Sequence, residues 1–330
     1  MREVKIFLGT IERVKDFVNA VTRLDCDMDI VSGRYVIDAK SIMGIFSVDL
    51  SKAVDLRIHA EGAEAEKAME VNQSIHRKIE SGQNMQKIYV KPKDYWMNDP
   101  NGFIYYKGMY HLFYQCFPYG PRWGRMHWGH VVSKDLVNWE EQGIALFPSK
   151  TDDRSGCFSG SAIEEDGKMQ LYYTGVNYLT ENPEDINLCV DEHFVSAQLM
   201  ITSEDGIHFD NIKDKKTVIP VIHDADIGDA RHTRDPKVWK DGDRWYMVLG
   251  STINDKQGKL LFFTSTDGEE WKFENSVTRE NFGWMWECPD YFEVDNSQVV
   301  IFSPMQLFKD GKADDAQTVC MQVTFDKETC

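Results

Sequence analysis

The sequence predicts two domains of different class: a small α+β open-faced sandwich over residues 1–82 and a mainly-β propeller over 83–330. Two observations carry this. Helical spacing of apolar residues is confined to the first of these stretches, and beyond it short aromatic-rich strands take over. There, two strand signals recur in a fixed order roughly every 60 to 75 residues, as stacked repeat units require.

In the N-terminal stretch Val4 to Leu8 reads as a strand. Ile11, Val14, Phe17, Val18, Val21 and Leu24 then recur at the spacing of an amphipathic helix. Short β stretches follow at Met28–Val31 and Tyr35–Ile37. Val54–His59 leads through Glu61 and Gly62 into a second helical pattern of Ala68, Val71, Ile75 and Ile79. The order β-α-β-β-short helix-β-α puts the helices on one face of a sheet.

In the larger stretch a turn glycine opens the same kind of strand in Gly108–Tyr114, Gly167–Tyr173 and Gly242–Val248. A second element follows each: Ser133-Lys134-Asp135 ending in Trp139, Ser203-Glu204-Asp205-Gly206 ending in Phe209, and Ser265-Thr266-Asp267-Gly268 ending in Trp271. Propeller blades generate such a repeat. At the start of the units stand Asn98-Asp99-Pro100, Phe158-Ser159-Gly160-Ser161, Arg234-Asp235-Pro236 and Glu287-Cys288-Pro289-Asp290. The innermost strand of each blade lines the central channel, so these four segments converge on one pocket, and three of them bring carboxylates.

Composition narrows the partners. The formal net charge is -17, from 54 acidic and 37 basic residues, which argues against nucleic acid or an anionic membrane and for a small neutral or locally recognised substrate. The N-terminus mixes charge into its apolar residues, so no signal peptide is expected, and no apolar run reaches bilayer length. Seven cysteines without a CxxC or His-Cys metal spacing suggest reduced thiols in a cytoplasmic protein. His127 and His130 flank Trp128-Gly129 without a third ligand nearby and read as strand packing, so no metal is expected.

Two carboxyl groups facing each other across a funnel are the equipment for breaking a glycosidic bond, one attacking and one protonating the leaving group. Asp99 and Glu287 both open a repeat unit. Trp284, Trp286 and the Pro289 turn are expected to desolvate Glu287 and favour its protonated form. Asp99 stands between Asn98 and Asn101, whose amide donors are expected to hold it ionised. Any one Asp-Pro is also a common turn opening.

The longer string Trp96-Met97-Asn98-Asp99-Pro100-Asn101-Gly102 resembles the signature of the invertase, levanase and sucrose-6-phosphate hydrolase family, glycoside hydrolase family 32. The resemblance covers about residues 86–330 and includes Tyr114-Gln115, Trp123-Gly124, Phe158 to Ser161, Arg234-Asp235-Pro236 and Trp286 to Asp290, in family order. It implies a five-bladed propeller that works without metal or cofactor. Asp99 would attack the fructosyl carbon, Glu287 would protonate the leaving oxygen and then activate water, and Asp235 would grip fructose hydroxyls and stabilise the transition state, making all three catalytic. Asn98, Gln115, Trp123, Phe158, Ser159 and Arg234 would line the fructose subsite. The residues after Glu287 are too few for the blades and accessory sandwich usual in the family, so an incomplete propeller is expected. Two rivals stand beside this reading: a related five-bladed glycosidase on arabinans or xylans, which would invert, and a catalytically dead carbohydrate-binding or regulatory fragment.

The N-terminal segment is similar to the histidine-containing phosphocarrier protein of the sugar phosphotransferase system, through Asp38-Ala39, Lys40 to Ser47 and the strand into His59 to Gly62. It departs where that family carries its phosphoryl group, since Gly9 to Arg13 contains no histidine. Relay of phosphate is therefore not expected. Ser41 matches that family's regulatory phosphorylation site and equally suits the N-cap of a short helix. The fusion favours sucrose-6-phosphate over sucrose or fructan as substrate and suggests a regulator linked to that transport system. Arg122, Arg125 and Arg154 are candidates for the phosphate by charge and location alone.

Overall fold

The structure is a computed structural model that describes residues 2–6, 8, 11–33, 35–45, 54–60, 62, 64–69, 90, 95–309, 312–314 and 317–330. The chain divides into two compact units, 1–89 and 90–330. No helix among the described residues is long and apolar enough to cross a membrane.

In the first unit β1 (Arg2–Ile6), α1 (Ile11–Val21), β2 (Met28–Ser32), β3 (Tyr35–Asp38), α2 (Ile42–Ile45) and β4 (Val54–Ile58) follow the expected order. The strands form one antiparallel sheet, β1-β4-β2-β3. Alternation decides its faces. Val54, Leu56 and Ile58 of β4 and Met28 and Ile30 of β2 are buried with Val14, Phe17 and Val21 of α1. The intervening residues carry charge, in the pairs Lys5–Asp55, Glu3–Arg57 and Asp29–His59. Ser41 caps α2: its Oγ accepts the N–H of Gly44 at 3.2 Å and its carbonyl that of Ile45 at 3.0 Å. Residues 64–69 are helical, whereas the continuation through Val71, Ile75 and Ile79, with His76, lies outside the described residues.

The second unit is mostly β. Three four-stranded antiparallel sheets come in chain order: β5 (Trp96–Tyr106) to β6 (Met109–Phe117), β7 (His127–Ser133) and β8 (Trp139–Leu146); β9 (Gly156–Glu165) to β10 (Lys168–Tyr178), β11 (Phe194–Ser203) and β12 (Lys216–Ile219); β13 (Arg234–Asp241) to β14 (Arg244–Ile253), β15 (Gln257–Ser265) and β16 (Lys272–Thr278). A fourth sheet pairs β17 (Trp286–Val294) with β18 (Ser297–Pro304) and, past the small hairpin β19 (Leu307–Lys309) and β20 (Lys312–Asp314), with β21 (Val319–Val323). The first strands of successive sheets lie against one another, β5 on β9, β9 on β13 and β13 on β17, as in a propeller.

Burial on both faces explains the unbroken apolar runs. Leu171 and Tyr173 of β10 pack toward the first sheet while Tyr172 between them packs toward the third; Met247 and Val248 of β14 divide in the same way between the second and fourth. The repeated Ser-x-Asp element is one turn used three times. Ser133, Ser203 and Ser265 accept the N–H of residues 136, 206 and 268, and Asp135, Asp205 and Asp267 accept the next two. The residue after each Asp is left-handed, Gly206 and Gly268 in two cases but Leu136 (φ +63°) in the first. His130 packs in its strand as expected, stacked on Phe113 and hydrogen-bonded through Nε2 to His111 Nδ1 at 3.0 Å.

Candidate active site

Each first strand carries one extra residue at the same level. Between Met97–Cys116 and Pro100–Tyr114, β5 sets Asn98 and Asp99 against Gln115 alone. In the same way β9 sets Phe158 and Ser159 against Thr174, β13 sets Asp235 and Pro236 against Leu249, and β17 sets Cys288 and Pro289 against Phe302. Such two-against-one bulges bend the strand, re-aim its side chains and tolerate proline inside a sheet. Asp235 (φ +66°) and Cys288 (φ +49°) are left-handed to achieve it. The bulges also correct the repeat alignment. Matched on their prolines, Asp99 and Asp235 look equivalent, yet Asp99 corresponds in register to Pro236 and Pro289. The three carboxylates therefore leave the wall from three different positions: Glu287 before its bulge, Asp235 first in its bulge and Asp99 second.

They open on one cavity of ≈ 510 Å³ lined by Asn98, Asp99, Gln115, Trp123, Phe158, Arg234, Asp235 and Glu287. That volume suits a small sugar. Ser159 stands behind this wall: its hydroxyl donates to Asp99 Oδ2 at 2.7 Å and accepts from Gln115 Nε2 at 2.6 Å. The expected amide support for Asp99 is thus a hydroxyl. Asn101 instead turns its Oδ1 to the N–H of Gly160, and its buried Nδ2 has no partner.

Arg234 organises the carboxylates. Its Nη2 donates to Glu287 Oε1 at 2.6 Å, and its Nε lies 3.9 Å from Asp235 Oδ2. Burial works against the Arg234 charge, but Asp235 and Glu287 outweigh it and hold the guanidinium above its ordinary value. Asp235, 6% exposed, accepts the N–H of Cys288 at 2.9 Å, while its own N–H donates to Thr174 Oγ1 at 2.8 Å. Its carboxyl is pushed up to about 7. Burial is the largest cause; Arg234 and the Cys288 N–H oppose it, and Glu287 and Asp99 add to it.

The structure departs from the expected apolar setting of Glu287. Trp286 faces the opposite way, fully buried on Phe302 in the core of the fourth sheet, and Glu287 is a third exposed and paired with Arg234. Trp284, two positions earlier, does line the cavity. The candidate phosphate arginines are spent elsewhere: Arg122 pairs with Asp185, Arg125 and Arg154 share Glu181, and all three line a separate cavity.

Sequence reasoning missed Glu192, His232, Phe194 and Met305, which also line the cavity. His232 sits edge-on between Phe194 and Trp284, and its Nδ1 accepts from Arg234 Nη1 at 3.1 Å. Burial, with Arg234 and Arg231 beside it, lowers its pKa. Asp229, His232 and Asp255 could gather around a cation, but Arg231 already fills that place, bonded to Asp255 and 3.8 Å from Asp229.

Comparison with known proteins agrees with this architecture. Residues 89–330 match the glycosyl hydrolases family 32 N-terminal domain, and residues 13–75 match the phosphotransferase-system HPr component phosphorylation site. A sucrose-6-phosphate hydrolase of Zymomonas mobilis is 39% identical over 257 residues, 74% of this chain and 48% of that protein. One of Bacillus subtilis is 38% identical over 237 residues, 70% of this chain and 46% of that protein. Among solved structures, a mutant GH32 beta-fructofuranosidase of Bombyx mori in complex with sucrose aligns with TM-score 0.62 and 35% identity, covering 78% of this chain and 55% of that one. The chain spans about half the length of these curated relatives.

Proposed function

Since the chain belongs to glycosyl hydrolase family 32 through residues 89–330, we propose that it hydrolyses β-fructofuranosidic bonds of the sucrose type, in sucrose or sucrose-6-phosphate, by a retaining double displacement. The observation that carries this reading is the convergence of Asp99, Asp235 and Glu287, from three sheets, on one cavity, with Arg234 beside Asp235 and Glu287. Asp99, oriented by the Ser159 hydroxyl, attacks the fructosyl carbon. Glu287 gives its proton to the leaving oxygen and later removes one from water. Asp235 binds fructose hydroxyls, with Asn98, Gln115, Trp123, Phe158 and Arg234 shaping the subsite. Burial pushes the Asp235 carboxyl up to about 7, so it retains a proton close to neutrality.

The second unit reads as blades of the family's five-bladed propeller. The first reads as a phosphocarrier-type open-faced sandwich that regulates or stabilises and does not relay phosphate. Its histidines are His59 and His76, and His59 Nε2 is held 2.7 Å from Asp29 Oδ2. Action on a sugar brought in by the phosphotransferase system would place the reaction in the cytoplasm. The test of the chemistry is the anomer of fructose first released from sucrose, read by NMR before mutarotation. Retention gives the β form, and an inverted product would move the protein to the inverting class.

A further inference from the structure

Between β10 and β11 the chain makes an excursion over residues 179–193. Leu179 N–H donates to the His193 carbonyl at 2.8 Å, Val190 N–H to that of Thr180 at 3.0 Å, and Thr180 Oγ1 meets His193 Nδ1 at 2.8 Å. The excursion ends in two consecutive left-handed residues, Asp191 (φ +49°) and Glu192 (φ +50°), a conformation that non-glycine residues rarely adopt. Its result is to bring Glu192 onto the cavity that holds Asp99 and Glu287. The Glu192 side chain is 70% exposed, and it stands 3.6 Å from Arg231 Nη1 and 3.8 Å from His232 Nε2. Those separations exceed a hydrogen bond, so the carboxylate keeps accepting capacity toward the cavity.

The polar wall runs in order from Glu192 through His232 and Arg234 to Glu287. Arginine has no acceptor, so His232 must receive the Arg234 bond on Nδ1 and carry its hydrogen on Nε2, the side toward Glu192. Glu192 thus offers acceptors and His232 offers a donor, side by side, on the Glu287 end of the cavity and at its exposed edge. A sugar hydroxyl needs this combination.

We propose that Glu192, with the His232 N–H beside it, binds hydroxyls of the sugar that leaves with the protonated oxygen, and so selects polyhydroxylated leaving groups. The inference rests on the fructosidase reading, because it takes Glu287 as the proton donor to that oxygen. It is tested on the full chain by Glu192→Gln and Glu192→Ala, comparing sucrose with methyl β-D-fructofuranoside, whose methanol leaving group has no further hydroxyl. Loss of a charge-assisted hydrogen bond should raise KM for sucrose about tenfold, with kcat little changed. The shift for the methyl fructoside should stay within about twofold, since the contact is not made there. An equal loss on both substrates, or none on sucrose, would overturn the inference while leaving the fructosidase reading in place. No turnover of either substrate by the unsubstituted protein would remove that reading and this inference with it.

Discussion

Replacing Asp235 by Asn should stabilise the protein above neutrality and do little in acid. Buried Asp235 titrates at about 7 against the ordinary 3.8, with burial the main cause. A carboxyl whose folded pKa is raised binds its proton more tightly in the native chain. Between about pH 4 and 7 the native state therefore holds a proton that the unfolded chain has lost, so stability falls as pH rises through that window and the full penalty stands above it. A gap of about three pKa units corresponds to about 4 kcal/mol. The nearby Glu287 and Asp99 charges contribute to the rise, so part of that penalty belongs to the cluster, and the expected gain from Asp235→Asn near pH 8 is about 2–4 kcal/mol. Near pH 4.5 it should shrink to about 1 kcal/mol or less, because the parent is then protonated in the fold.

Urea unfolding followed by tryptophan fluorescence suits the measurement, since all nine tryptophans lie between Trp96 and Trp286 and report the second unit alone. Asn keeps an oxygen for the Cys288 N–H, so the substitution removes the charge and leaves that bond. Turnover should fall at every pH. A variant less stable than its parent near pH 8, or a gain that does not change with pH, would refute the account of Asp235 as a buried carboxyl held at a cost to the fold.

Asp99→Asn and Glu287→Gln should each lower kcat on sucrose by about a thousandfold or more with an unchanged circular dichroism spectrum, and near-normal turnover in either would sink its assignment. Lys215 and Asp153 are wholly buried and bonded at 2.6 Å. Lys215→Met should cost about 3–5 kcal/mol by stranding the carboxylate, with part recovered by adding Asp153→Asn; an unmoved urea midpoint would contradict this. Leu136→Gly should stabilise by about 0.5–1 kcal/mol, since Leu136 is left-handed where the matching turns carry glycine, and a lower midpoint would show that its side chain packs usefully. Incubation with phosphoenolpyruvate and the general phosphotransferase enzyme should give no phosphohistidine in residues 1–89, and a phosphohistidine there would overturn the non-carrier reading; deleting those residues should leave sucrose hydrolysis in place, and loss of all hydrolysis would make them part of the catalytic fold.

What the sequence made legible, and what it hid, follows from the range of the physics involved. Ser133-x-Asp135 and its two repeats could be read because a hydroxyl and a carboxylate cap the next few N–H groups locally, whatever the rest of the chain does. The corresponding hairpin of the fourth sheet escaped the glycine search because its left-handed pair is Asp295-Asn296. The bulges were hidden for another reason: an extra residue in a strand is defined by the partner across the ladder, and the Asp-Pro dipeptides suggested a register one place off. Glu192 and His232 belong to loops, and only packing against Phe194 and Trp284 aims the histidine ring. The orientation of Trp286 was within reach. Neighbours on a strand point to opposite faces, so a carboxylate in the funnel at Glu287 already requires Trp286 in the blade core, and it allows Trp284, two residues back, to share the funnel. The same alternation explains why the burial falls elsewhere: Trp286, beside Glu287 in sequence, packs away from it, and the carboxyl that burial raises is Asp235, which a left-handed bulge turns inward.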